Sequence, residues 1–341
     1  MTTIQKAIGA LVEKRDLDAE TMRAAMHEIM RGEATPAQIA GFLIAMRMKG
    51  ETVTEIATAV EVMRSLATPV SVSHPNLVDT CGTGGDASGT FNVSTAAALV
   101  VAAAGGRVAK HGNRSVSSSS GSADVLEAAG ARIDLSPAQV AVCIERVGFG
   151  FLMAPLHHGA LRHAVAPRRE LATRTLFNLL GPMTNPAGAR RQVLGLFAAR
   201  WQRPVADVLQ QLGSEHVLVV HAEDGLDEFS IAAPTRVVEL RDGVVREFVV
   251  TPEELGVERS SLDRVKAAGP AESLALIADA FASGAGPAAD LIAMNAGAAL
   301  YVAGLVPDLA GGVVRAREMM ANGQAQQRLD AFVACTHEVT E

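Results

Sequence analysis

Apolar residues recur at a helical period through the first seventy residues of the chain. Residues 35–38 (Thr-Pro-Ala-Gln) form a capping box with proline at the first helical position. The apolar positions behind this box are Ile39, Phe42, Leu43 and Met46. Residues 52–55 (Thr-Val-Thr-Glu) open the next helix in the same way, so the pattern predicts consecutive amphipathic helices over residues 1–70. Their apolar faces need a partner, either the rest of the chain or a second subunit.

Beyond residue 75, short apolar runs of strand type alternate with runs of helical type. Strands are predicted at residues 76–78, 107–109, 151–154, 191–197 and 216–221, and helices at residues 96–104, 123–129 and 137–147. The Asp242-Gly243 pair predicts a hairpin over residues 237–250, and the last seventy residues are helical in pattern. Strands that alternate with helices predict an α/β fold with a mainly parallel central sheet, covered on both faces.

The most informative polar segment is residues 79–86 (Asp-Thr-Cys-Gly-Thr-Gly-Gly-Asp), which follows the first predicted strand and precedes a helix. Four glycines let backbone N–H groups of this loop approach a ligand: Gly82, Gly84, Gly85 and Gly89. Asn92 or Ser94 can cap the helix, whose N-terminus favours an anion. The alternative is an ordinary strand-to-helix turn. Because the loop also carries two acids and four hydroxyl residues, we favour a phosphate or pyrophosphate site.

A second polar loop, residues 110–114 (Lys-His-Gly-Asn-Arg), follows the next predicted strand. Its two cations beside a glycine suit phosphate oxygens, and a solvated turn is the alternative. The serines that follow it, at positions 115 and 117 to 120, indicate either a flexible linker or a cradle lined with hydroxyl groups. We favour the cradle because the run lies directly after lysine and arginine, between a strand and a helix.

Two further segments carry candidate ligands. Asp227 and Glu228 are adjacent carboxylates after a predicted strand, and like charges repel there unless a cation joins them. Oxygen ligands of this kind suit Mg²⁺, although an exposed acidic turn would look the same. Residues 157–169 are rich in histidine and arginine. Their spacing fits no standard zinc site, so the arginines are the better candidates, for a carboxylate or a phosphate.

Composition narrows the class of protein. A chain of 341 residues predicts two domains, and a net charge of −7 with one Trp and one Tyr argues against a general nucleic-acid surface. Three widely spaced cysteines, Cys81, Cys143 and Cys335, fit a reduced compartment. The first thirty residues lack a signal-peptide pattern, and no apolar run reaches the ~18 residues that span a bilayer. We therefore expect a cytoplasmic protein without a membrane partner.

Taken together, the polar segments resemble the anthranilate phosphoribosyltransferase family in order and spacing over nearly the whole chain. The motifs that carry the resemblance are residues 79–86, 92–95 (Asn-Val-Ser-Thr), 110–114, 168–171 (Arg-Arg-Glu-Leu), 177–182 (Phe-Asn-Leu-Leu-Gly-Pro) and Asp227-Glu228. The resemblance implies transfer of the phosphoribosyl group of phosphoribosyl pyrophosphate to the amine of anthranilate, with release of pyrophosphate, in tryptophan biosynthesis. It implies Mg²⁺ as the cofactor.

The resemblance also implies an architecture of the nucleoside phosphorylase and phosphoribosyltransferase type. A small helical domain would comprise residues 1–70 with a contribution from about 165–190, and a larger α/β domain residues 75–341. A homodimer through the helical part is implied as well.

Carried over by position, the resemblance assigns roles to individual residues. The implied phosphoribosyl pyrophosphate site comprises Gly82, Gly85, Asp86, Thr90, Asn92, Val93, Ser94, Thr95, Lys110, His111, Gly112, Asn113, Arg114, Ser115, Val116, Ser117, Ser118 and Ser122. The implied Mg²⁺ contacts are Ser94, Asp227 and Glu228, and the implied anthranilate contacts are Gly82, Asn113 and Arg168, with Arg168 on the carboxylate. No residue is assigned as a general base, because the aromatic amine is already a nucleophile.

The chain departs from the family pattern at two positions. Gly159 lies where many members have proline, and Ala172 where many have glycine, so both could loosen the anthranilate channel. Two alternative functions remain open from the sequence. One is a pyrimidine nucleoside phosphorylase, which uses free phosphate and lacks the Asp-Glu pair. The other is a non-catalytic relative that binds nucleic acid, against which the negative net charge argues.

Overall fold

The structure is a computed structural model that describes residues 1–115 and 120–340. The chain begins with four helices, α1 (Thr3–Val12), α2 (Ala19–Met30), α3 (Pro36–Lys49) and α4 (Val53–Leu66). The two capping boxes predicted for α3 and α4 are present, since Thr35 and Thr52 each accept from the backbone N–H three residues later. Gly50, with φ of 93°, ends α3. Local sequence therefore sets both ends of α3 and the start of α4.

Within the described residues, seven strands form one sheet. The strands are β1 (Leu77–Gly82), β2 (Arg107–Gly112), β3 (Phe149–Met153), β4 (Arg191–Gly195), β5 (His216–Ala222), β6 (Thr235–Arg241) and β7 (Val244–Val250). Their order is β3-β2-β1-β4-β5-β6-β7; the first five strands pair in parallel, while the β5–β6 and β6–β7 pairs are antiparallel. The predicted hairpin is confirmed, and Asp242 and Gly243 both have positive φ, of 50° and 76°, as a two-residue turn requires.

Helices cover both faces of this sheet. The remaining helices are α5 (Val93–Ala103), α6 (Ser122–Ala128), α7 (Pro137–Val147), α8 (Ala154–His157), α9 (Arg162–Leu171), α10 (Phe177–Leu180), α11 (Gln202–Gln211), α12 (Pro270–Ser283), α13 (Pro287–Val302), α14 (Leu309–Ala321) and α15 (Gln324–Glu338). On one face α5 and α13 pack against β1 and β4, and on the other α11 packs against β5, β6 and α4. The expected class is thus confirmed: a small helical domain and a larger α/β domain with a mainly parallel sheet.

Two hydrophobic cores lie on opposite sides of the sheet. Leu218 and Val220 of β5 belong to the core formed with α5, α13 and α15. Val217 and Val219, their neighbours along the same strand, belong to the core that contains α1 to α4. This alternation follows from the two-residue period of a strand. The domain boundaries at residues 70 and 75 stay a prediction, because the second core joins the helical bundle directly to one face of the sheet.

The first two strands extend further than the apolar pattern predicted. β1 continues through Gly82 rather than ending at Val78, and β2 continues through Gly112 rather than ending at Ala109. The extra residues are polar or glycine, but they pair with β4 and β3 respectively, up to Gly82 with Gly195 and Gly112 with Met153. Part of each predicted loop is therefore strand, because backbone hydrogen bonds extend the strand beyond the residues that the hydrophobic pattern indicates.

In the part of the chain that the structure describes, no single helix has the length and apolar character to cross a membrane. The consecutive helices α12 and α13 reach that length and composition together, but they are bent by 83° at their junction.

Candidate functional site

Four polar segments meet at one edge of the sheet. β1, β2, β3 and β5 are parallel and their carboxyl ends lie together, so the segments that follow them, near Gly84, Asn113, His158 and Asp227, converge there. In open α/β sheets this edge is where ligands bind. The chain order of the motifs thus becomes a spatial cluster.

The glycine loop after β1 is attached directly to the acidic turn after β5. The Gly84 N–H donates to Asp227 Oδ2 at 2.8 Å, and the Thr83 N–H donates to the Gly195 carbonyl at 2.9 Å. Gly84 and Gly85 have φ of 62° and 75°, a conformation that residues with a Cβ adopt only with strain. The loop therefore turns sharply over the acidic pair.

Two glycines allow Asp227 to lie this close to the sheet. A Cβ on Gly82 would lie 2.7 Å from Asp227 Oδ2, and a Cβ on Gly195 would lie 1.5 Å from the Asp227 carbonyl oxygen. Side chains at either position would collide with the acidic turn. Gly82 is thus required for its small size, because its φ is not positive.

The acidic turn concentrates carboxylates that water does not stabilise. Burial, with the nearby charge of Asp86, raises the pKa of Asp227 to about 7. Burial, with the charges of Asp227 and Asp86, raises the pKa of Glu228 well above its usual value. A bound cation would favour the ionised form of both groups.

The donor set fits Mg²⁺ rather than a metal held by protein alone. No group of three or more His, Cys, Asp or Glu side chains within residues 1–115 and 120–340 is arranged to hold a metal ion. Mg²⁺ commonly uses one or two carboxylates and completes its coordination with water and substrate phosphates. Asp227 and Glu228, beside a glycine loop, match that pattern.

Lys110 lies inside the site rather than at its surface. Its side chain is 1% exposed, and its ammonium donates to the Thr80 carbonyl at 2.6 Å and to Ser94 Oγ at 3.1 Å. Burial lowers the pKa of Lys110 below its usual value, while the charge of Glu228 opposes that effect. The lysine therefore holds Ser94 in place and supplies positive charge beneath the acidic turn.

The start of α5 is built from three of the predicted residues. Asn92 Oδ1 accepts from the Thr95 N–H at 3.2 Å, so Asn92 rather than Ser94 caps the helix. Ser122 Oγ donates to the same Asn92 oxygen at 3.4 Å. Ser94 lies in the first turn, its carbonyl bound by Thr80 Oγ1 at 2.9 Å. These contacts place Ser94 and the N-terminus of α5 at the site, where the Val93 and Thr95 N–H groups already donate to the Phe91 carbonyl and to Asn92 Oδ1.

Other predicted phosphate contacts lie around this centre. Thr90 Oγ1 is 3.0 Å from Ser88 Oγ, at the end of the glycine loop. The Arg114 guanidinium pairs with Glu127 and Asp124 of α6 and is half exposed. The predictions for Val116, Ser117 and Ser118 lie outside the described residues.

A second part of the site is aromatic and neutral. The rings of His111 and His158 pack edge to face with centroids 5.1 Å apart. Burial lowers the pKa of His111 to about 3 and that of His158 to about 4, so both imidazoles are uncharged at neutral pH. Next to this wall, Asn113 is exposed at the end of β2. The two histidines are only 4% and 5% exposed, so this wall is a neutral, packed layer behind Asn113.

Arg168 carries an unmatched charge on α9. Its Cζ lies 5.2 Å from the Phe177 ring centroid, and burial lowers the pKa of its guanidinium. Within residues 1–115 and 120–340, no hydrogen bond or ion pair occupies this guanidinium. Arg169, the next residue, is exposed.

The two departures from the family pattern have different consequences. A Cβ at Gly159 would meet no atom within 4 Å, so a larger residue would fit there without a clash. Ala172 ends α9 with φ of 45°, a left-handed conformation that glycine adopts without strain. Its effect is on the backbone that follows α9.

Sequence reasoning missed the buried carboxylate that supports the site from below. Asp79 is fully buried; its oxygens accept from the His111 N–H at 3.1 Å and from Asn185 Nδ2 at 2.8 Å. Burial raises the pKa of Asp79 to about 6. Asn185 also donates to the Ala109 carbonyl at 2.8 Å, and so joins β1 to β2. The polar start of residues 79–86 was the available signal, but Asn185 has no local one.

Two family models match consecutive parts of the chain, and known proteins match nearly all of it. A family model for a glycosyl transferase helical bundle domain matches residues 5–67, and one for a glycosyl transferase α/β domain matches residues 74–326. The anthranilate phosphoribosyltransferases of Thioalkalivibrio sulfidiphilus and Halorhodospira halophila are each 61% identical, over 98% of this chain and 98% of their own length.

Solved structures that resemble this chain are also anthranilate phosphoribosyltransferases. The crystal structure of anthranilate phosphoribosyltransferase from Thermus thermophilus has a TM-score of 0.92 and 45% identity, covering 99% of this chain and 100% of its own. The Saccharomyces cerevisiae enzyme, solved in complex with phosphoribosyl pyrophosphate and Mg, has a TM-score of 0.89 and 25% identity, covering 99% and 98%.

Proposed function

Because the chain belongs to the anthranilate phosphoribosyltransferase family, we propose that the loops at the carboxyl edge of its sheet bind the two substrates of that reaction. The chain is a pentosyltransferase of tryptophan biosynthesis. It transfers the phosphoribosyl group of phosphoribosyl pyrophosphate to the amine of anthranilate and releases pyrophosphate.

The phosphoribosyl pyrophosphate half of the site comprises the glycine loop, the start of α5 and the acidic turn. The observation that carries this assignment is the 2.8 Å bond from the Gly84 N–H to Asp227, which joins the anion-binding loop to the metal-binding candidates. Pyrophosphate leaves the ribose through a transition state in which positive charge develops on the sugar and negative charge on the leaving group. The positive end of the α5 dipole, together with glycine-loop N–H groups beyond Gly84, stabilises that negative charge.

Mg²⁺ is the proposed cofactor, held by Asp227, Glu228 and Ser94. Support comes from the raised pKa values of the two acids and from the yeast relative, which was solved with Mg and phosphoribosyl pyrophosphate. When bound, the ion would neutralise the charge of the pyrophosphate. Lys110 holds Ser94 in position and keeps positive charge beneath the acids.

The anthranilate half comprises Arg168, Asn113, Gly82 and the histidine wall. A half-buried guanidinium that has no hydrogen bond or ion pair in the described residues, and contacts only the Phe177 ring, is suited to a carboxylate, which it can bind through two parallel hydrogen bonds. His111 and His158 are neutral and nearly buried, so they back this part of the site without adding charge near the substrate. The amine needs no deprotonation before attack, so positioning beside the ribose carbon is the contribution of these residues.

We also propose a homodimer formed through the helical domain. Three apolar side chains of this part of the protein are exposed: Val12 at the end of α1 (69%), Met48 on α3 (78%) and Val165 on α9 (53%). Cytoplasmic location is proposed from the three cysteines, which are all free thiols. No nucleic-acid or membrane partner is proposed.

One assay tests the assignment. We expect anthranilate fluorescence to fall when phosphoribosyl pyrophosphate is added, only in the presence of Mg²⁺, with pyrophosphate released in equal amount. Addition of EDTA should stop the change. Activity that continues without any divalent ion would remove Mg²⁺ from the proposal. Cleavage of pyrimidine nucleosides by inorganic phosphate, without anthranilate turnover, would establish the phosphorylase alternative instead.

A further inference from the structure

A short segment after α9 bridges the helical domain and the glycine loop. Arg47, on α3, donates from Nη1 to Thr173 Oγ1 at 2.8 Å and also to the Arg174 carbonyl. Arg174 in turn donates from Nη2 to the Gly85 carbonyl. Two arginines therefore connect a helix of the bundle to the loop that lies over the acidic turn.

Arg174 is also fixed from the side of the sheet. Its Cζ lies 4.2 Å from the centroid of the Phe197 ring, within the range of a cation–π contact. The Phe197 N–H donates to Thr83 Oγ1 at 2.9 Å. The guanidinium thus lies between an aromatic ring that is attached to residue 83 and a carbonyl at residue 85.

These contacts act on the part of the loop that has no side chains of its own. Gly84 and Gly85 have positive φ, and glycine loses more conformational freedom on ordering than any other residue. The Gly84 N–H that binds Asp227 lies between the two attachment points, Thr83 and Gly85. Whatever holds Gly85 therefore also holds the loop against the acidic turn.

We propose that Arg174 is a positioning residue for phosphoribosyl pyrophosphate, and that Arg47 acts through it by fixing the segment on which it lies. The proposal rests on the assignment of the glycine loop to phosphoribosyl pyrophosphate. Neither residue belongs to the implied substrate or metal contacts, and neither is adjacent to them in sequence. Binding of this substrate is thereby coupled to the placement of the helical domain.

The first test is steady-state kinetics on the full-length protein with each substrate varied in turn. Arg174 is exposed, so part of the charge-assisted bond is lost to solvent, and Arg174→Ala should raise KM for phosphoribosyl pyrophosphate about fivefold. The KM for anthranilate should change less than about twofold. Arg174→Lys should recover only part, because an ammonium keeps the charge but not the planar fork.

Arg200→Ala is the matched control. Its Cζ lies 5.6 Å from the Trp201 ring, so it loses a similar cation–π contact without touching the glycine loop. It should leave both KM values unchanged. Arg47→Ala should raise KM for phosphoribosyl pyrophosphate about threefold alone and add nothing to Arg174→Ala, because both substitutions then remove one and the same restraint.

Hydrogen exchange of the substrate-free proteins gives a readout independent of turnover. Amides of residues 83–89 should exchange faster in Arg174→Ala and Arg47→Ala than in the parent, with an unchanged melting temperature. Equal increases in both KM values, unchanged exchange in the loop, or additive effects of the two substitutions would overturn the positioning role. If the parent itself turns over no anthranilate with phosphoribosyl pyrophosphate, it is the proposed function that fails.

Discussion

Replacement of Gly82 by alanine tests whether the acidic turn must lie directly against the first strand. The added Cβ would lie 2.7 Å from Asp227 Oδ2, and ordinary contact begins near 3.4 Å, so the carboxylate has to move by about 0.7 Å. The bond from the Gly84 N–H to this oxygen, now 2.8 Å, is then lengthened or lost. The backbone of residue 82 accepts alanine, because its φ is not positive.

The expected effect is therefore on the site rather than on the fold. A displacement approaching 1 Å at a reacting centre costs up to about a hundredfold in rate, so kcat/KM for phosphoribosyl pyrophosphate should fall by roughly ten- to a hundredfold. A higher Mg²⁺ concentration should be needed for half-maximal rate. Initial rates of anthranilate fluorescence loss, with phosphoribosyl pyrophosphate and Mg²⁺ varied in turn, measure both.

Alanine substitutions at two other glycines are the controls for this experiment. Gly9→Ala adds a Cβ on α1 that meets no atom within 4 Å, so it should leave activity unchanged and slightly raise the melting temperature. Gly195→Ala places a Cβ 1.5 Å from the Asp227 backbone carbonyl, which cannot rotate away, so it should lower the melting temperature most. Activity of Gly82→Ala within about twofold of the parent, with the same Mg²⁺ requirement, would show that the acidic turn need not lie directly against β1. A melting temperature as low as that of Gly195→Ala would also refute the reasoning, since the carboxylate then fails to move locally.

Three further predictions follow from the same site. Asp227→Asn combined with Glu228→Gln should abolish turnover at ordinary Mg²⁺ without unfolding the protein; turnover retained at sub-millimolar Mg²⁺ would contradict the metal assignment. Arg168→Ala should lower kcat/KM for anthranilate roughly thirtyfold while sparing phosphoribosyl pyrophosphate, because a paired guanidinium contributes about 2 kcal/mol; the exposed Arg169, changed to alanine, is the control and should have little effect. Burial raises the folded-state pKa of Asp79 from 3.8 to about 6, so its stabilising contribution is present at low pH and is lost as pH rises through that range. Asp79→Asn should therefore show a smaller fall in melting temperature between pH 5 and pH 7 than the parent, and an identical fall would contradict the shift.

Several features of this protein depend on sequence neighbours alone. Thr35 and Thr52 begin α3 and α4, and Asp242-Gly243 makes the hairpin, because caps and turns involve residues within a few positions of one another. The alternation of strands and helices determined the mainly parallel sheet. Polar loops that follow parallel strands lie at the carboxyl ends of those strands, so the separate polar loops of this chain lie together.

Other features required the tertiary structure, because they arise between residues far apart in the chain. The strand ends at Gly82 and Gly112 follow from pairing with β4 and β3, and no local hydrophobic signal marks them. Lys110 was predicted as a phosphate ligand by its charge, yet its burial against Thr80 and Ser94 depends on how β1, β2 and α5 pack.

Arg47 and Arg174, which link the helical domain to the glycine loop, show this dependence on tertiary structure most clearly. Arg47 and Arg174 are separated by 127 positions, and Arg174 and Gly85 by 89. An exposed arginine on a helix or loop has the same local sequence signature whether it faces water or a carbonyl. Its partner is chosen only when the helical domain packs against the sheet, since that packing sets the distances over which hydrogen bonds form.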